Sequence, residues 1–174
     1  PEENVALIKD VLSVHSGIDI AVLNGGVASK GRSVADTEAE ELWNLVATHA
    51  LGPHQLCRAL IPSMRTRGRG DIIFISSVAT SGMSAFGAPY NMGKAAMEAL
   101  ALTLAKEERS NGIHVNIVAP GLVETDMGVR LARAMTGRTE MGDLRSLDAT
   151  SPFGRVCQPL DIANVVLWLV SEGA

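Results

Sequence analysis

The chain has 174 residues and a net charge of −4, and 47% of its residues are hydrophobic but only 3% are aromatic; this suits one domain with an aliphatic core. The acidic balance argues against a nucleic-acid-binding surface, which is basic, and no apolar run approaches the roughly 18 residues that a membrane span needs. Because the two cysteines are isolated and no signal peptide is visible, we expect a cytoplasmic protein without a disulfide framework or a metal site.

The first part of the chain predicts a helix followed by a strand. Apolar residues recur at helical spacing within residues 1–16: Val5, Ile8 and Leu12. Residues 18–23 (IDIAVL) then predict a short buried strand, which leads directly into Asn24, Gly25 and Gly26. Glycine permits close approach of the backbone to a ligand, although Asn-Gly-Gly alone is also typical of an ordinary turn.

A long helix is predicted next. Thr37 followed three residues later by Glu40 is the pattern of a capping box, and the apolar periodicity continues to about Met64. Pro53 falls inside this helix and predicts a kink, because proline lacks the backbone N–H. His49 lies in the same helix, and its spacing from the other histidines does not suggest a metal site.

Residues 71–94 combine the clearest strand with the residues that suggest chemistry. Their opening apolar run has no alternation, which predicts a strand buried on both faces. Ser77 leaves this strand, and a helix begins at Pro89. Tyr90 and Lys94 lie four apart on that helix and therefore share one face.

A phenol beside an ammonium group indicates acid–base chemistry. Free tyrosine has a pKa of about 10, but a neighbouring cation favours the phenolate, so that Tyr90 can exchange a proton with a carbonyl or alcohol near neutral pH. The hydroxyl of Ser77 can bind the same oxygen. Since Tyr90 is the only tyrosine of the chain, we predict that it serves the interconversion of a carbonyl and an alcohol with a hydride partner.

The last third of the chain predicts a strand over residues 113–119, a turn over residues 120–125 and a final helix from Pro159 to about Glu172. A Pro-Gly pair after a strand commonly forms a turn. Residues 126–155 have weak periodicity, and their apolar side chains include several flexible methionines: Met127, Met135 and Met141.

These features, in this order, resemble the short-chain dehydrogenase/reductase family. Its signature is a Ser, a Tyr thirteen residues later and a Lys four residues after that, which Ser77, Tyr90 and Lys94 match. The resemblance implies an α/β fold with a Rossmann-like doubly wound parallel sheet, NAD or NADP as cofactor, a small-molecule ketone or secondary alcohol as substrate, and a homodimer or homotetramer. It also implies that Tyr90 transfers the proton, Lys94 lowers the pKa of Tyr90 and holds the nicotinamide ribose, and Ser77 orients the substrate oxygen.

The resemblance further implies the cofactor contacts and the position of a fourth catalytic residue. Besides Tyr90 and Lys94, the matching cofactor positions are Asn24, Gly25, Gly26, Pro120, Gly121, Val123 and Thr125. His49 stands where the family has an Asn that supports a proton relay to the catalytic Lys. Residues 126–155 correspond to the family's substrate lid.

The family's N-terminal glycine-rich turn with its strands, and its last strand, have no counterpart in the sequence. We therefore expect residues 1–174 to be the catalytic portion of one such domain, inactive by itself, in which the strand at 18–23 becomes an exposed apolar edge. The alternative is a non-catalytic relative that uses the fold for oligomerisation or regulation, which the changes from Asn to Leu23 and His49 favour. A lyase-like use of the triad, as in dehalogenating relatives, is disfavoured because those carry Arg in place of Lys94.

Overall fold

A computed structural model describes residues 2–136 and 143–173. The chain forms two compact units, one up to Val118 and one from Ala119 onward, and each is described by itself. The helices and strands of the first unit are α1 (Glu2–Val14), β1 (Ile20–Leu23), α2 (Ala39–Val46), α3 (Gly52–Arg67), β2 (Gly70–Ile75), α4 (Ala79–Gly82), α5 (Ala88–Glu108) and β3 (Ile113–Val118). Those of the second unit are α6 (Asp126–Thr136) and α7 (Pro159–Leu169).

The three strands form one parallel sheet in the order β1-β2-β3. Phe74 of β2 lies opposite Leu23 of β1 and opposite Ile117 of β3. The central strand is buried along its length, as its unbroken apolar run predicts. Aliphatic side chains of α3 and α5 complete the core, and the most deeply buried of these are Leu60, Met64, Met97 and Ala101.

The strand β1 lies at the edge of this sheet. Within the described residues it pairs with β2 alone, and Ile20 and Val22 are 47% and 44% exposed. In the same residues, no helix combines the length and the apolar character needed to cross a membrane.

The predicted capping box at Thr37 is wrong. The helix α2 begins at Ala39, and Glu38 at its N-cap makes no side-chain capping bond. Residues Val34–Asp36 form a 3₁₀ turn that Ser33 caps, and the hydroxyl of Thr37 donates to the carbonyl of Ser33 at 2.8 Å. Because this turn uses the Thr37 hydroxyl, the helix starts without it.

The predicted continuous helix with a kink at Pro53 takes a different form. A π-helical turn over Ala47–Leu51 separates α2 from α3, and Pro53 lies in the first turn of α3. The ring of a helical proline clashes with the carbonyl four residues earlier, here that of His49, and a widened π turn relieves this clash. Such turns occur frequently at functional sites, and this one carries His49.

Candidate functional site

Ser77 lies just beyond the carboxyl end of β2, where the chain turns into the short helix α4. Its hydroxyl accepts a hydrogen bond from the N–H of Ala79 at 3.2 Å, and its carbonyl accepts one from the hydroxyl of Thr80 at 2.9 Å. These local bonds are typical of a serine that starts a turn. They fix the Ser77 side chain, which lies close enough to Tyr90 to influence the pKa of its phenol. Sequence reasoning predicted a loop here and missed α4.

Tyr90 and Lys94 lie on the first turns of α5, which has Pro89 in its first turn as predicted. The side chain of Lys94 is only 4% exposed. Its Nζ donates to the carbonyl of Ile75, the last residue of β2, at 2.7 Å, and lies 5.8 Å from the centre of the Tyr90 ring. The structure thus brings Ser77, Tyr90 and Lys94 together at the carboxyl end of the central strand.

Burial dominates the electrostatics of this group. It lowers the pKa of Lys94 to about 8, against the opposing charge of Glu98. Burial also raises the pKa of Tyr90, and the influence of the Ser77 hydroxyl offsets only part of this rise. The prediction that Lys94 lowers the pKa of Tyr90 therefore does not hold in this chain by itself, because burial disfavours the phenolate and the ammonium is bonded to Ile75.

His49 lies beside Tyr90 with its side chain completely buried. The two rings meet edge to face, with centroids 5.2 Å apart and planes at 82°. Nε2 of His49 lies 2.9 Å from the carbonyl oxygen of Val27; since a carbonyl only accepts, this nitrogen carries the proton. Burial lowers the pKa of His49, with the Val27 bond opposing and the charge of Lys94 adding to the decrease. The imidazole is therefore neutral, and its buried Nδ1 has no partner among the described residues.

Two glycines allow these groups to pack closely. A Cβ on Gly26 would lie 3.0 Å from Cε1 of His49 and 3.8 Å from Nζ of Lys94. A Cβ on Gly93, which stands between Tyr90 and Lys94 on α5, would lie 3.0 Å from the carbonyl oxygen of Leu45. Sequence reasoning identified Gly26 but missed Gly93. The available signal was a glycine inside a strong helix, where it costs about 1 kcal/mol relative to alanine and so has a packing role.

The other predicted cofactor residues lie in two places. Asn24 and Gly25 are exposed at the carboxyl end of β1, and a Cβ on Gly25 would meet open space. The turn with Pro120, Gly121, Val123 and Thr125 belongs to the second unit. There the hydroxyl of Thr125 accepts from the N–H of Gly128 at 3.0 Å, so that it caps α6.

The predicted lid segment, residues 126–155, contains α6 and a 3₁₀ turn over Arg145–Thr150. Within the second unit, Ala132, Leu144 and Val156 form a small buried apolar cluster. Met141 lies outside the described residues, as does the side chain of Met135. No group of metal-ligating side chains occurs in the described parts of the chain.

Comparison with known proteins extends over the whole chain. Residues 1–174 match the family model described as Enoyl-(Acyl carrier protein) reductase. "Dehydrogenase/reductase SDR family member 4" of Homo sapiens is 33% identical over 99% of this chain and 60% of its own length. "3alpha-hydroxysteroid dehydrogenase" of Mediterraneibacter gnavus is 33% identical over 97% of this chain and 64% of its own length. The chain thus spans somewhat under two thirds of these curated relatives.

Solved structures show the same fold. An NAD+-bound xylitol dehydrogenase superposes with a TM-score of 0.87 at 22% identity, over 98% of this chain and 69% of that protein. A structure described as a dehalogenation enzyme gives a TM-score of 0.83 at 28% identity, over 97% of this chain and 68% of that protein. An NADPH-bound ElxO variant gives a TM-score of 0.84 at 22% identity, over 98% of this chain and 67% of that protein. The predicted Rossmann-like α/β fold is confirmed.

Proposed function

Because the chain belongs to the short-chain dehydrogenase/reductase family, we propose that it forms the catalytic portion of an NAD- or NADP-dependent oxidoreductase that interconverts a ketone and a secondary alcohol. One observation supports this proposal above all: Ser77, Tyr90 and Lys94 lie together at the carboxyl end of β2. Ligands of open parallel α/β sheets bind beyond the carboxyl ends of the strands.

Of these three side chains, Tyr90 and Ser77 act on the reacting oxygen of the substrate. The nicotinamide supplies or accepts the hydride when it is bound. Tyr90 gives its proton to the carbonyl oxygen as negative charge develops there, and takes a proton from the alcohol in the opposite direction. Ser77 donates a hydrogen bond to the same oxygen and holds it within reach of the phenol.

The donor set of Lys94 fits a dinucleotide. An ammonium group has three N–H donors, and the carbonyl of Ile75 takes one of them, which leaves donors for ribose hydroxyl groups. Gly26 leaves space beside this ammonium that a Cβ would fill. The remaining cofactor contacts that we propose are Asn24 and Gly25 in the first unit, and Pro120, Gly121, Val123 and Thr125 in the second.

We assign the fourth role, support of the proton relay, to His49. Its Nε2 is bonded to Val27, so only the unprotonated Nδ1 is available to accept a proton. The contact with the Tyr90 ring and the influence of Lys94 on its pKa support this assignment.

We also propose a homodimer or homotetramer. An exposed, largely apolar face of α5 supports it, formed by Met92, Ala96, Ala99 and Leu102. The rival proposal is a non-catalytic relative, which Leu23 and His49 favour because they stand where the family has Asn. The oxidoreductase and the non-catalytic relative differ in whether the polypeptide oxidises NADH or NADPH in the presence of a carbonyl compound.

A serine exchange tests the proposed chemistry. In the longest natural polypeptide that contains this chain, Ser77→Ala should lower kcat/KM for the carbonyl substrate about a hundredfold, because it removes a preorganised donor to the reacting oxygen. Cofactor affinity should stay that of the parent. Ser81→Ala is the matched control, because Ser81 is an exposed serine on α4. Equal kcat/KM in the Ser77→Ala and Ser81→Ala variants would contradict the assigned role.

A further inference from the structure

We propose that Glu41 and His49 act together as positioning residues that fix the segment between β1 and α2 for cofactor binding. This inference rests on the proposed function, because the segment carries the proposed cofactor contacts Asn24, Gly25 and Gly26. Glu41 lies in the first turn of α2 and His49 in the π turn that follows α2. Both anchors therefore come from one helical run.

The segment has little structure of its own. Residues 24–33 belong to no helix or strand. Within the described structure, the backbone of residues 25–32 makes no hydrogen bond to other backbone groups. Two backbone groups of this segment find their hydrogen-bond partners on side chains instead.

The two side chains supply one bond each. Nε2 of His49 donates to the carbonyl of Val27 at 2.9 Å, directly after Gly26. Oε1 of Glu41 accepts from the N–H of Lys30 at 2.6 Å. A short bond between a carboxylate and a backbone N–H is among the stronger hydrogen bonds of proteins. The segment is thus held at two points three residues apart.

An independent observation concerns the other polar atom of each side chain. Among the described side chains, Oε2 of Glu41 and Nδ1 of His49 are the buried polar atoms without a hydrogen-bond partner. Glu41 is only 6% exposed and His49 is completely buried. Buried unpaired polar atoms are rare and costly. Both unpaired atoms thus belong to the two side chains whose other polar atom is bonded to the backbone of this segment.

The replacement residues at positions 41 and 49 are chosen to distinguish a positioning role from other roles of Glu41 and His49. Gln at position 41 keeps an acceptor for Lys30, and Gln at position 49 can place a donor near the position of Nε2. Asn at position 49 places its polar atoms near Nδ1 and is too short to reach Val27. Glu40→Ala is the control for Glu41→Ala, because Glu40 is exposed in the same turn of α2.

The test measures the dissociation constants of NADH and NADPH and the kcat in the longest natural polypeptide that contains this chain, with the melting temperature as a check of folding. Glu41→Ala and His49→Ala should each weaken cofactor binding about tenfold, the loss expected for one hydrogen bond of a charged or buried group. Glu41→Gln, His49→Gln and Glu40→Ala should bind like the parent. The double Ala variant should lose less than the sum of the single losses, because both anchors hold one segment.

Amide hydrogen exchange gives a second readout that needs no cofactor. In the parent, the amide of Lys30 should exchange more slowly than those of Ser29 and Gly31, and Glu41→Ala should remove this protection. Unprotected Lys30, or parent-like cofactor affinity in both folded Ala variants, would overturn the proposal. If His49→Ala lowers kcat but not cofactor affinity, and if His49→Asn restores kcat while His49→Gln does not, then His49 acts in the relay. That result would overturn its positioning role. If the parent binds neither dinucleotide, the proposed function fails, and the exchange experiment still decides whether the segment is anchored.

Discussion

Tyr90→Phe should lower kcat about 10²- to 10⁴-fold, the contribution of a positioned general acid–base group, while the affinity for NADH and NADPH stays close to that of the parent. The exchange removes one hydroxyl and keeps the ring, which packs edge to face with His49. The measurement is steady-state turnover together with cofactor titration in the longest natural polypeptide that contains this chain. Substantial turnover in the Phe variant would show that another group transfers the proton.

The second large effect concerns the stability of residues 1–174. The pKa of Lys94 is about 8 in the folded chain, against an ordinary value of 10.5. Between these values the unfolded chain binds more protons than the folded chain, so this residue makes the free energy of unfolding rise with pH over that range and remain low below pH 8. The difference between the two values corresponds to about 3 kcal/mol, and the 4% exposure of Lys94 leaves little solvent to screen it.

Lys94→Met should remove this pH dependence. Relative to the variant, the parent should gain up to about 3 kcal/mol of unfolding free energy between roughly pH 8 and pH 10.5, as measured by urea denaturation at several pH values. Lys106→Met is the control, because Lys106 is exposed on the same helix and should leave the profile of the parent unchanged. Parallel profiles for the parent and Lys94→Met would mean that Lys94 is not held with a lowered pKa.

The sequence predicted those elements in which local pattern and tertiary burial agree. The unbroken apolar run before Ser77 predicted β2, and the spacing of Tyr90 and Lys94 on a helix that begins near Pro89 predicted their common face. In each case the signal lies within a few consecutive residues or in the order of the elements.

The sequence did not predict features that depend on which groups meet in space. The bond from His49 to Val27 joins residues 22 apart, and the bond from Glu41 to Lys30 links α2 to an irregular segment. The capping box failed because a preceding turn had already used the Thr37 hydroxyl. The rise in the pKa of Tyr90 was not predicted either, because its largest cause is burial, which is a tertiary property that residue spacing does not show.

The most direct test of the central claim is carbonyl-dependent oxidation of NADH or NADPH by the longest natural polypeptide that contains this chain, assayed with a panel of small ketones. The proposed chemistry predicts oxidation of one of the two dinucleotides that requires both a ketone and the Tyr90 hydroxyl, and that is therefore absent in Tyr90→Phe. A folded parent that binds the dinucleotide but oxidises it with none of the ketones, and reduces NAD or NADP with none of the matching alcohols, would contradict the claim and favour the non-catalytic relative.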